Sequence, residues 1–374
     1  MDWTAFRNEF PVTRRWAFLD HAAVAPLPAA AVRELAAYAT DLAQNGIASV
    51  GRWVSRAKVV RASAARLLNA APDEVAFIKN TSDGIGFVAE GFPWKPGDNV
   101  VLAAEEYPSN QYPWMNQAHR GVEVRAVPSR GSRVGIDDVR AAIDSRTRVV
   151  ALSFVEYASG YRNDLDAIGS LCRERGVYFF VDAIQGLGVF PLDVTRTPVD
   201  FLAADSHKWL LGPEGIGVFW IRKGLIDLLH PVGVGWNSVV DCYNFAKIDF
   251  RLKPGAGRWE GGAPNVAGIT AMGAGLDLLL KVGVAAVGER VVFITDYACD
   301  RAASAGLEVF SSRAAGEKSG IVSFLTPGRD PDPLMKRCRD AGVIVNQRMG
   351  RLRISPHAYN STDEIDRFLE CVTP

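Results

Sequence analysis

The sequence contains few cysteines, and their spacing does not match that of a metal site or a disulfide framework. Five cysteines are spread over 374 residues without a single C-x-x-C pair: Cys172, Cys242, Cys299, Cys338 and Cys371. Paired spacing is typical of structural zinc sites and of small disulfide-rich secreted domains. Its absence predicts that the protein binds no metal and works in a reducing compartment, for which the cytoplasm is the expectation.

The sequence also lacks an excess of either charge and any long apolar run. The 42 basic side chains balance the 42 acidic ones, which argues against nucleic acid or a charged membrane surface as a partner. No apolar run approaches the roughly 20 residues that cross a bilayer. The first residues carry charges throughout and no apolar stretch, so no secretory signal is expected. A small molecule is therefore the expected partner.

Short apolar segments alternate with helix-like segments from about residue 60 to residue 225. Two of the helix-like segments are Ile136–Ile143 and Ala167–Arg175. The apolar segments are rich in β-branched and aromatic residues, which are typical of strands: Glu74–Lys79, Asn99–Ala103, Glu123–Val127, Val149–Phe154, Val177–Asp182, Phe201–Ala204 and Gly217–Ile221. Such alternation predicts an α/β domain with a mostly parallel seven-stranded sheet that is covered on both faces.

The last third of the chain has a second, shorter α/β pattern. A predicted helix over Val266–Lys281 leads to predicted strands near Leu307–Phe310, Ile321–Leu325 and Arg351–Ile354. We expect a smaller C-terminal α/β domain packed on the first. The predicted division assigns residues 16–255 to the large domain and residues 1–15 with 256–374 to the small domain.

Two residues with complementary chemistry lie at the ends of neighbouring predicted strands. Asp182 ends an apolar strand, and Lys208 closely follows the next one, so both are expected at the same edge of the sheet. A buried carboxylate keeps a pyridine nitrogen protonated, and a desolvated lysine attacks an aldehyde. The alternative is a helix cap at Asp182 and an exposed lysine at position 208. The apolar context, with Gln185 and His207 nearby, favours the first interpretation.

The segments around these residues, Val181-Asp-Ala-Ile-Gln185 and Ser206-His-Lys-Trp-Leu-Leu-Gly-Pro-Glu-Gly-Ile-Gly217, resemble the class V aminotransferase family. This family includes cysteine desulfurases, isopenicillin N epimerase-like proteins and kynureninases. Further matches follow in the family's order over nearly the whole chain: Phe18-Leu-Asp-His-Ala-Ala23, Asn80-Thr-Ser82, Arg258-Trp-Glu-Gly-Gly-Ala-Pro-Asn265 and Arg353-Ile-Ser-Pro-His-Ala-Tyr-Asn360. The resemblance implies the fold of fold-type I transferases, pyridoxal 5'-phosphate as cofactor, and a Schiff base with Lys208 as the catalytic residue.

The resemblance also implies roles for residues around the cofactor. Thr81 and Ser82 open a predicted helix, whose free amides and hydroxyls suit a phosphate dianion, although an ordinary helix cap is the alternative. His207 is implied as a further phosphate contact. Tyr107 matches a ring that stacks on the pyridine face, and Gln185 is implied to hydrogen-bond the phenolic oxygen of the cofactor.

For the substrate, the resemblance implies a carboxylate site. Arg353 matches the arginine that the family uses for this purpose, because a guanidinium group offers a bidentate fork to a planar anion. Arg348 and Arg351 lie close enough in sequence to be confused with it, and surface salt bridges are the alternative for all three. His21 is expected to line the mouth of the substrate pocket, with a turn role as the alternative.

The sequence departs from the family where desulfurases carry a nucleophilic cysteine on a mobile loop. The segment before Arg353 is short and contains no cysteine, and Cys338 lies in a predicted helix. Tyr157 replaces an asparagine near the cofactor, and Ala263 replaces a hydroxyl that a partner subunit often places on the phosphate. The missing thiolate disfavours persulfide formation on the enzyme, and the two replacements depart from the residue set of desulfurases.

Together, these features predict a pyridoxal-phosphate enzyme that acts on an amino acid through Lys208. Transamination, epimerisation and elimination all remain open for a class V aminotransferase-like enzyme. The alternatives are cysteine desulfurase or C–S lyase activity, or a catalytically silent protein that binds the cofactor. The resemblance further implies a homodimer in which the Arg258–Asn265 segment reaches the neighbouring subunit.

Overall fold

The computed structural model of the protein describes residues 2–373. In chain order, strands β1 to β15 are Ala17–Phe18, Val75–Ile78, Asn99–Ala103, Glu123–Val127, Ser129–Arg130, Arg133–Val134, Thr147–Ser153, Tyr178–Asp182, Phe201–Asp205, Gly217–Ile221, Glu308–Val309, Val322–Leu325, Val343–Ile344, Asn346–Arg348 and Arg351–Ile354. Helices α1 to α11 are Trp3–Asn8, Ala29–Asn45, Val50–Leu68, Thr81–Gly91, Tyr112–Met115, Ile136–Ala142, Leu165–Arg175, Val266–Val282, Val284–Arg301, Pro331–Asp340 and Thr362–Val372. Within this range, no helix has the length and apolarity needed to cross a membrane.

The central sheet has seven strands in the order β2-β10-β9-β8-β7-β3-β4. Strand β10 runs antiparallel to both of its neighbours, and the strand pairs from β9 to β4 are parallel. The predicted mostly parallel seven-stranded sheet is therefore confirmed, and each of the seven predicted strands overlaps one strand of this sheet.

Apolar side chains on both faces of the sheet require helices on both sides. In β3, Val101 enters one apolar core and Val100 the other, because successive side chains of a strand point to opposite faces. Helix α8 packs against α2 and α3, and its Met272 belongs to the same core as Val101. This two-sided cover explains why the central strands are apolar nearly throughout.

A smaller antiparallel sheet with the order β11-β12-β15-β14 follows in the last third of the chain. Its core combines Phe324 with Ile294 of α9, Leu334 of α10 and Phe368 of α11. Strand β1 pairs in parallel with β13, so the beginning of the chain joins this smaller unit. The division of the chain at residue 255 stays a prediction. Helix α8, which follows this position, packs on the core of the larger sheet.

The carboxyl ends of the parallel strands bring chemically active side chains to one edge. Asp182 ends β8, Asp205 ends β9, and Lys208 follows in the loop after β9. Thr81 begins α4 soon after β2, and Tyr107 lies in the loop after β3. This edge is where open α/β sheets bind their ligands.

Candidate active site

A cavity of about 430 Å³ lies at this edge of the sheet. Most of the site residues predicted from the sequence line it: Thr81, Ser82, Tyr107, Asp182, Gln185, His207, Lys208 and Arg353. Side chains from distant parts of the sequence therefore meet in one place.

Lys208 and Asp182 are both buried in this cavity, and each affects the protonation of the other. Burial lowers the pKa of Lys208 to about 8, while the negative charge of Asp182 opposes this shift and the positive charge of Arg353 adds to it. Burial raises the pKa of Asp182 to about 6, opposed by a hydrogen bond from the Ile184 amide and by the charge of Lys208. An amine of reduced basicity is more often neutral near pH 7 and is then a nucleophile.

The N-terminus of α4 forms one wall of the cavity. Thr81 Oγ1 accepts a hydrogen bond of 2.9 Å from the amide of Asp205, which ties the helix to the end of β9. Ser82 Oγ donates to Ser109 Oγ at 2.8 Å, and both residues line the cavity. Because the first amides of a helix have no partner within the helix, this end attracts anions.

Three buried polar atoms of the lining have no hydrogen-bond partner within residues 2–373: Asp205 Oδ1, His207 Nδ1 and Arg353 Nε. His207 Nδ1 lies 3.0 Å from Asp205 Oδ1, but the two atoms do not have the alignment of a hydrogen bond. Buried polar groups in proteins are normally paired. The cavity therefore has hydrogen-bonding capacity to offer a polar ligand.

Gln185 joins the loop after β8 to two other segments of the wall. Its Nε2 donates to the carbonyl oxygen of Ala22 at 3.0 Å, and its Oε1 accepts from Trp209 Nε1 at 2.8 Å. Trp209 is fully buried next to Lys208 in sequence. These bonds hold the carboxamide in place while leaving the second Nε2 hydrogen for a ligand.

Tyr107 presents an open aromatic face near the lysine nitrogen. Its ring centroid lies 5.6 Å from Lys208 Nζ, and 45% of the residue is exposed. The ring packs edge-to-face against Tyr157, with 5.1 Å between the centroids. A flat ligand between the tyrosine and the cavity floor would stack on this face.

Arg353 is fully buried and oriented by an ion pair with Asp20. Its Nη2 lies 3.1 Å from Asp20 Oδ1, and its Nη1 donates to the carbonyl oxygen of Tyr157 at 2.9 Å. Asp20 also accepts a hydrogen bond of 2.8 Å from Asn346 Nδ2. Asp20 was not among the residues predicted from the sequence, although it belongs to the matched Phe18–Ala23 segment.

His21 is not brought to the cavity. It is fully buried, its Nε2 lies 2.8 Å from the hydroxyl of Tyr359, and its ring packs against Trp209 and His357. The expectation that His21 lines the substrate mouth therefore differs from the structure. The adjacent Ala22 lines the cavity instead, because the imidazole fits into an aromatic cluster behind the wall.

A network of buried carboxyl groups near Asp182 was also missed in the sequence. Glu106 accepts hydrogen bonds from the amide and the hydroxyl of Ser153 at 2.7 and 2.5 Å, and Glu156 accepts one from Asn163 at 2.8 Å. Burial, together with the charge of Asp182, raises the pKa of Glu106 to about 8 against the opposing hydrogen bonds from Ser153. The signal available in the sequence was the position of these two glutamates, which directly precede Tyr107 and Tyr157.

None of the five cysteines, all of which lie within residues 2–373, lines the cavity. Burial raises the pKa of Cys172 and of Cys338 to about 12, and that of Cys299 to about 11. Cys338 lies in α10, as predicted. A buried thiol with a raised pKa is a poor nucleophile.

The segment that precedes Arg353 is a tight hairpin. Strands β14 and β15 pair antiparallel from Asn346↔Arg353 to Arg348↔Arg351. The two residues of the turn, Met349 and Gly350, have φ angles of 51° and 73°, a combination typical of two-residue turns in hairpins. The turn is therefore too short to form a loop that could reach into the cavity.

The lining fits pyridoxal phosphate, the cofactor that the resemblance implies. Lys208 can bind its aldehyde, and Asp182 offers a buried carboxylate for its ring nitrogen. The α4 terminus and the His207 side chain beside it suit its phosphate. The fit rests on the buried Lys208–Asp182 pair at this end of the cavity.

Comparisons with known proteins agree with this arrangement. The family model described as Aminotransferase class-V matches residues 17–368. A probable cysteine desulfurase from Methanothermobacter thermautotrophicus is 29% identical over 382 residues, covering 96% of this chain and 94% of that protein. YcbU, described as an uncharacterized aminotransferase from Bacillus subtilis, is 28% identical over 366 residues, covering 96% of this chain and 94% of that protein.

Solved structures share the fold over the whole chain. The cysteine desulfurase CsdA from Escherichia coli has a TM-score of 0.89 at 25% identity, covering 100% of this chain and 98% of that chain. The cystine C-S lyase C-DES, in complex with its reaction product cysteine persulfide, has a TM-score of 0.92 at 22% identity, covering 97% of this chain and 99% of that chain. At this identity the likeness to C-DES shows a common fold.

Proposed function

Because the chain belongs to the class V aminotransferase family of pyridoxal-phosphate enzymes, we propose that it catalyses β-elimination from an α-amino acid with sulfur on Cβ. The observation that carries this proposal is a cavity that combines Lys208, Asp182 and Arg353 but contains no cysteine in its lining. The desulfurase and C-S lyase names among similar proteins support a sulfur-containing substrate. The missing thiol favours release of the sulfur over its transfer to the enzyme.

In this proposal, the residues around the cofactor bind and orient it. Lys208 Nζ would hold it covalently, and the Asp182 carboxylate would accept the hydrogen of its ring nitrogen. Thr81, Ser82 and His207 bind its phosphate at the positive end of α4. When bound, pyridoxal phosphate withdraws electrons from the Cα of an amino acid attached through its nitrogen.

The remaining lining residues act on the ring and on the substrate. Tyr107 covers the ring face, and Gln185 donates its free Nε2 hydrogen to the phenolic oxygen. Arg353 binds the α-carboxylate through Nε and its unused hydrogens, while Asp20 fixes the plane of the guanidinium group. With the amino acid in place, Lys208 Nζ would take the proton from Cα and would return a proton to the departing sulfur.

The balanced reaction needs only water as a second reactant. The Cα–H and Cβ–S bonds break, the sulfur leaves as a thiol with one proton, and water converts the remaining enamine into pyruvate and ammonium. No oxidant or reductant enters. Since no thiolate on the enzyme takes part, alkylation of its cysteines should leave the rate unchanged.

The test is product analysis after incubation of the holoenzyme with L-cysteine S-conjugates, cystine and a panel of other amino acids. β-Elimination gives equal amounts of pyruvate, ammonium and the sulfur product, which is a thiol from an S-conjugate and a persulfide from cystine. Transamination instead gives a 2-oxo acid without ammonium and depends on added 2-oxo acid, and epimerisation gives the D-isomer without either product. The elimination proposal fails if one of these patterns appears, or if no amino acid is converted.

We also infer that the enzyme is a homodimer. The segment from Val234 to Phe250 exposes large apolar side chains, among them Ile248 at 95% exposure. Beside it lies a groove of about 780 Å³ that is lined by Trp53 of α3, by Trp236 and by Pro264 of the Arg258–Asn265 segment. Contiguous exposed apolar surface of this kind marks protein interfaces, and a second copy of the chain presents the complementary apolar segment.

A further inference from the structure

Three arginines share one face of the hairpin that precedes the carboxylate site. Arg348 lies directly across from Arg351, and Arg353 lies across from Asn346. Residues that face each other in an antiparallel pair place their side chains on the same side of the sheet. The three guanidinium groups therefore project towards the same region, and two of them, Arg348 and Arg353, line the cavity.

The three arginines differ in how their charge is balanced. Arg353 pairs with Asp20. Arg351 stacks on Phe310, with its Cζ 4.1 Å from the ring centroid, and the charge of Glu105 acts on it. Arg348 forms no ion pair with any carboxylate of residues 2–373, and it is only half-buried. Its charge acts on Asp20, which already pairs with Arg353, so within residues 2–373 Arg348 has no ion-pair partner of its own.

The Arg348 guanidinium is nonetheless held in position. Its Nη1 donates to Asn346 Oδ1 at 2.6 Å and to the carbonyl oxygen of Gln347 at 2.7 Å. Its Nε and Nη2 form no hydrogen bond to the residues that the structure describes. One edge of the fork is therefore fixed, and the other donors remain for a ligand. The charge reaches the reacting end of the cavity, since it helps to lower the pKa of Lys208.

We propose that Arg348 binds a second carboxylate on the substrate side chain, so that the preferred substrates are cysteine S-conjugates whose sulfur substituent carries a carboxylate. This inference rests on the proposed elimination reaction and adds the chemical class of its leaving group. Arg353 holds the α-carboxylate deep in the cavity, and Arg348 holds the distal one nearer the opening. Both carboxylates accept charge-assisted hydrogen bonds from a planar fork.

The spacing of the two arginines suits such a substrate. Arg348 and Arg353 are diagonal neighbours across the strand pair, a relation that separates their backbones by about 7–8 Å. Two long side chains starting from these points can grip two carboxylates at opposite ends of one extended molecule. A substrate with a single carboxylate would leave the Arg348 charge unpaired.

The first test compares two substrates that differ only in the charge of the distal group, S-carboxymethyl-L-cysteine and S-carbamoylmethyl-L-cysteine. We expect the holoenzyme to favour the acid in kcat/KM by about 10-fold, the usual discrimination from one charge-assisted contact at a half-exposed site. In Arg348→Gln this preference should fall to near unity, and Arg348→Lys should restore part of it. The matched control is Arg351→Gln, which removes a charge from the same hairpin face outside the cavity lining and should keep the preference.

The second test measures binding without turnover. Calorimetry on the holoenzyme compares 3-(carboxymethylsulfanyl)propanoate with 3-(carbamoylmethylsulfanyl)propanoate, which lack the amino group and cannot react. The diacid should bind about 10-fold more tightly than the amide, and this difference should disappear in Arg348→Gln.

The outcomes separate this inference from the proposed function. If neither S-conjugate is converted, such conjugates are not the substrates and this inference is overturned, while elimination stands as long as cystine or another amino acid of the panel gives pyruvate and ammonium. If the conjugates are converted at equal efficiency, or if Arg348→Gln keeps the preference for the acid, the second carboxylate site is overturned while elimination stands. Equal affinity for the diacid and the amide would overturn it as well.

Discussion

Lys208 combines burial, a neighbouring carboxylate and an open aromatic ring. Within residues 2–373 it is the only lysine that lines the cavity. In Lys208→Ala we expect a folded protein without the visible absorbance band of lysine-bound pyridoxal phosphate and without turnover. Absorbance spectra and thermal melts check this. Lys79→Ala is the control, because that side chain is 83% exposed, and it should keep both the band and the activity. Turnover by Lys208→Ala would refute the mechanism.

The lowered basicity of Lys208 also predicts how cofactor uptake depends on pH. Only the neutral amine attacks an aldehyde, so the rate of uptake by the apoenzyme should rise with pH and level off above about 8, the pKa of the buried lysine. An exposed lysine would continue to gain reactivity up to about 10.4. Stopped-flow absorbance after mixing apoenzyme with pyridoxal phosphate between pH 6 and 10 measures this. A rate that still climbs above pH 9 would contradict the shift.

Single residues were predictable where short motifs carry the information. Asp182 and Lys208 stand out as a pair, because they follow neighbouring apolar strands in segments that match the class V aminotransferase family. The Asp20–Arg353 pair could not be found in this way, because its members are 333 positions apart. The position of His21 was wrong because a backbone turn decides which side chain faces a cavity, and neither residue type nor order reveals that.

The loops after β3 and β7 place two carboxyl groups in the interior, and their burial has a cost that depends on pH. The pKa of Glu106 is raised in the folded protein to about 8, so the folded state holds this proton more tightly than the unfolded state. The contribution of Glu106 to the free energy of unfolding must therefore fall as the pH rises from about 4.5, its pKa in the unfolded chain, to about 8. In Glu106→Gln that loss is absent. The free energy of unfolding of the variant should therefore rise by roughly 1–3 kcal/mol relative to that of the wild type as the pH goes from 5 to 8.

Denaturant midpoints of the wild type and of Glu106→Gln at pH 5, 6.5 and 8 test this expectation. Glu174→Gln serves as the control, because Glu174 is an exposed carboxylate on α7 and should give the same difference at every pH. Parallel pH profiles for the wild type and Glu106→Gln would show that Glu106 ionises normally.

Elements were easier to predict than the contacts between them. The sequence predicts a strand over Val149–Phe154 where the structure has Thr147–Ser153, and a helix over Val266–Lys281 where the structure has Val266–Val282. Apolar periodicity fixes such segments locally. Contacts between distant segments, such as the pairing of β1 with β13, cannot be read from local periodicity. For the same reason, the sequence did not indicate that the Arg348 side chain faces the cavity.

At the scale of the whole molecule, the exposed apolar segment should control assembly. The wild type should sediment as a dimer, and Ile248→Asp together with Phe245→Ser should weaken association by at least about 10-fold, because each large apolar side chain contributes roughly 1.5–3 kcal/mol when buried. Sedimentation velocity over a range of concentrations measures this. Phe293→Ser on α9 removes an exposed aromatic residue elsewhere and should leave the dimer intact. A monomeric wild-type holoenzyme would disprove the assembly.

The tight turn at Met349 and Gly350 leaves no loop at this position that could carry an enzyme-bound sulfur atom out of the cavity. Under the proposed elimination, the sulfur departs on a small molecule that is free to diffuse in any direction. Such an enzyme completes its cycle without a reductant and without docking an acceptor protein. The cell would gain a soluble pool of reduced sulfur from it, with no directed delivery to a single recipient.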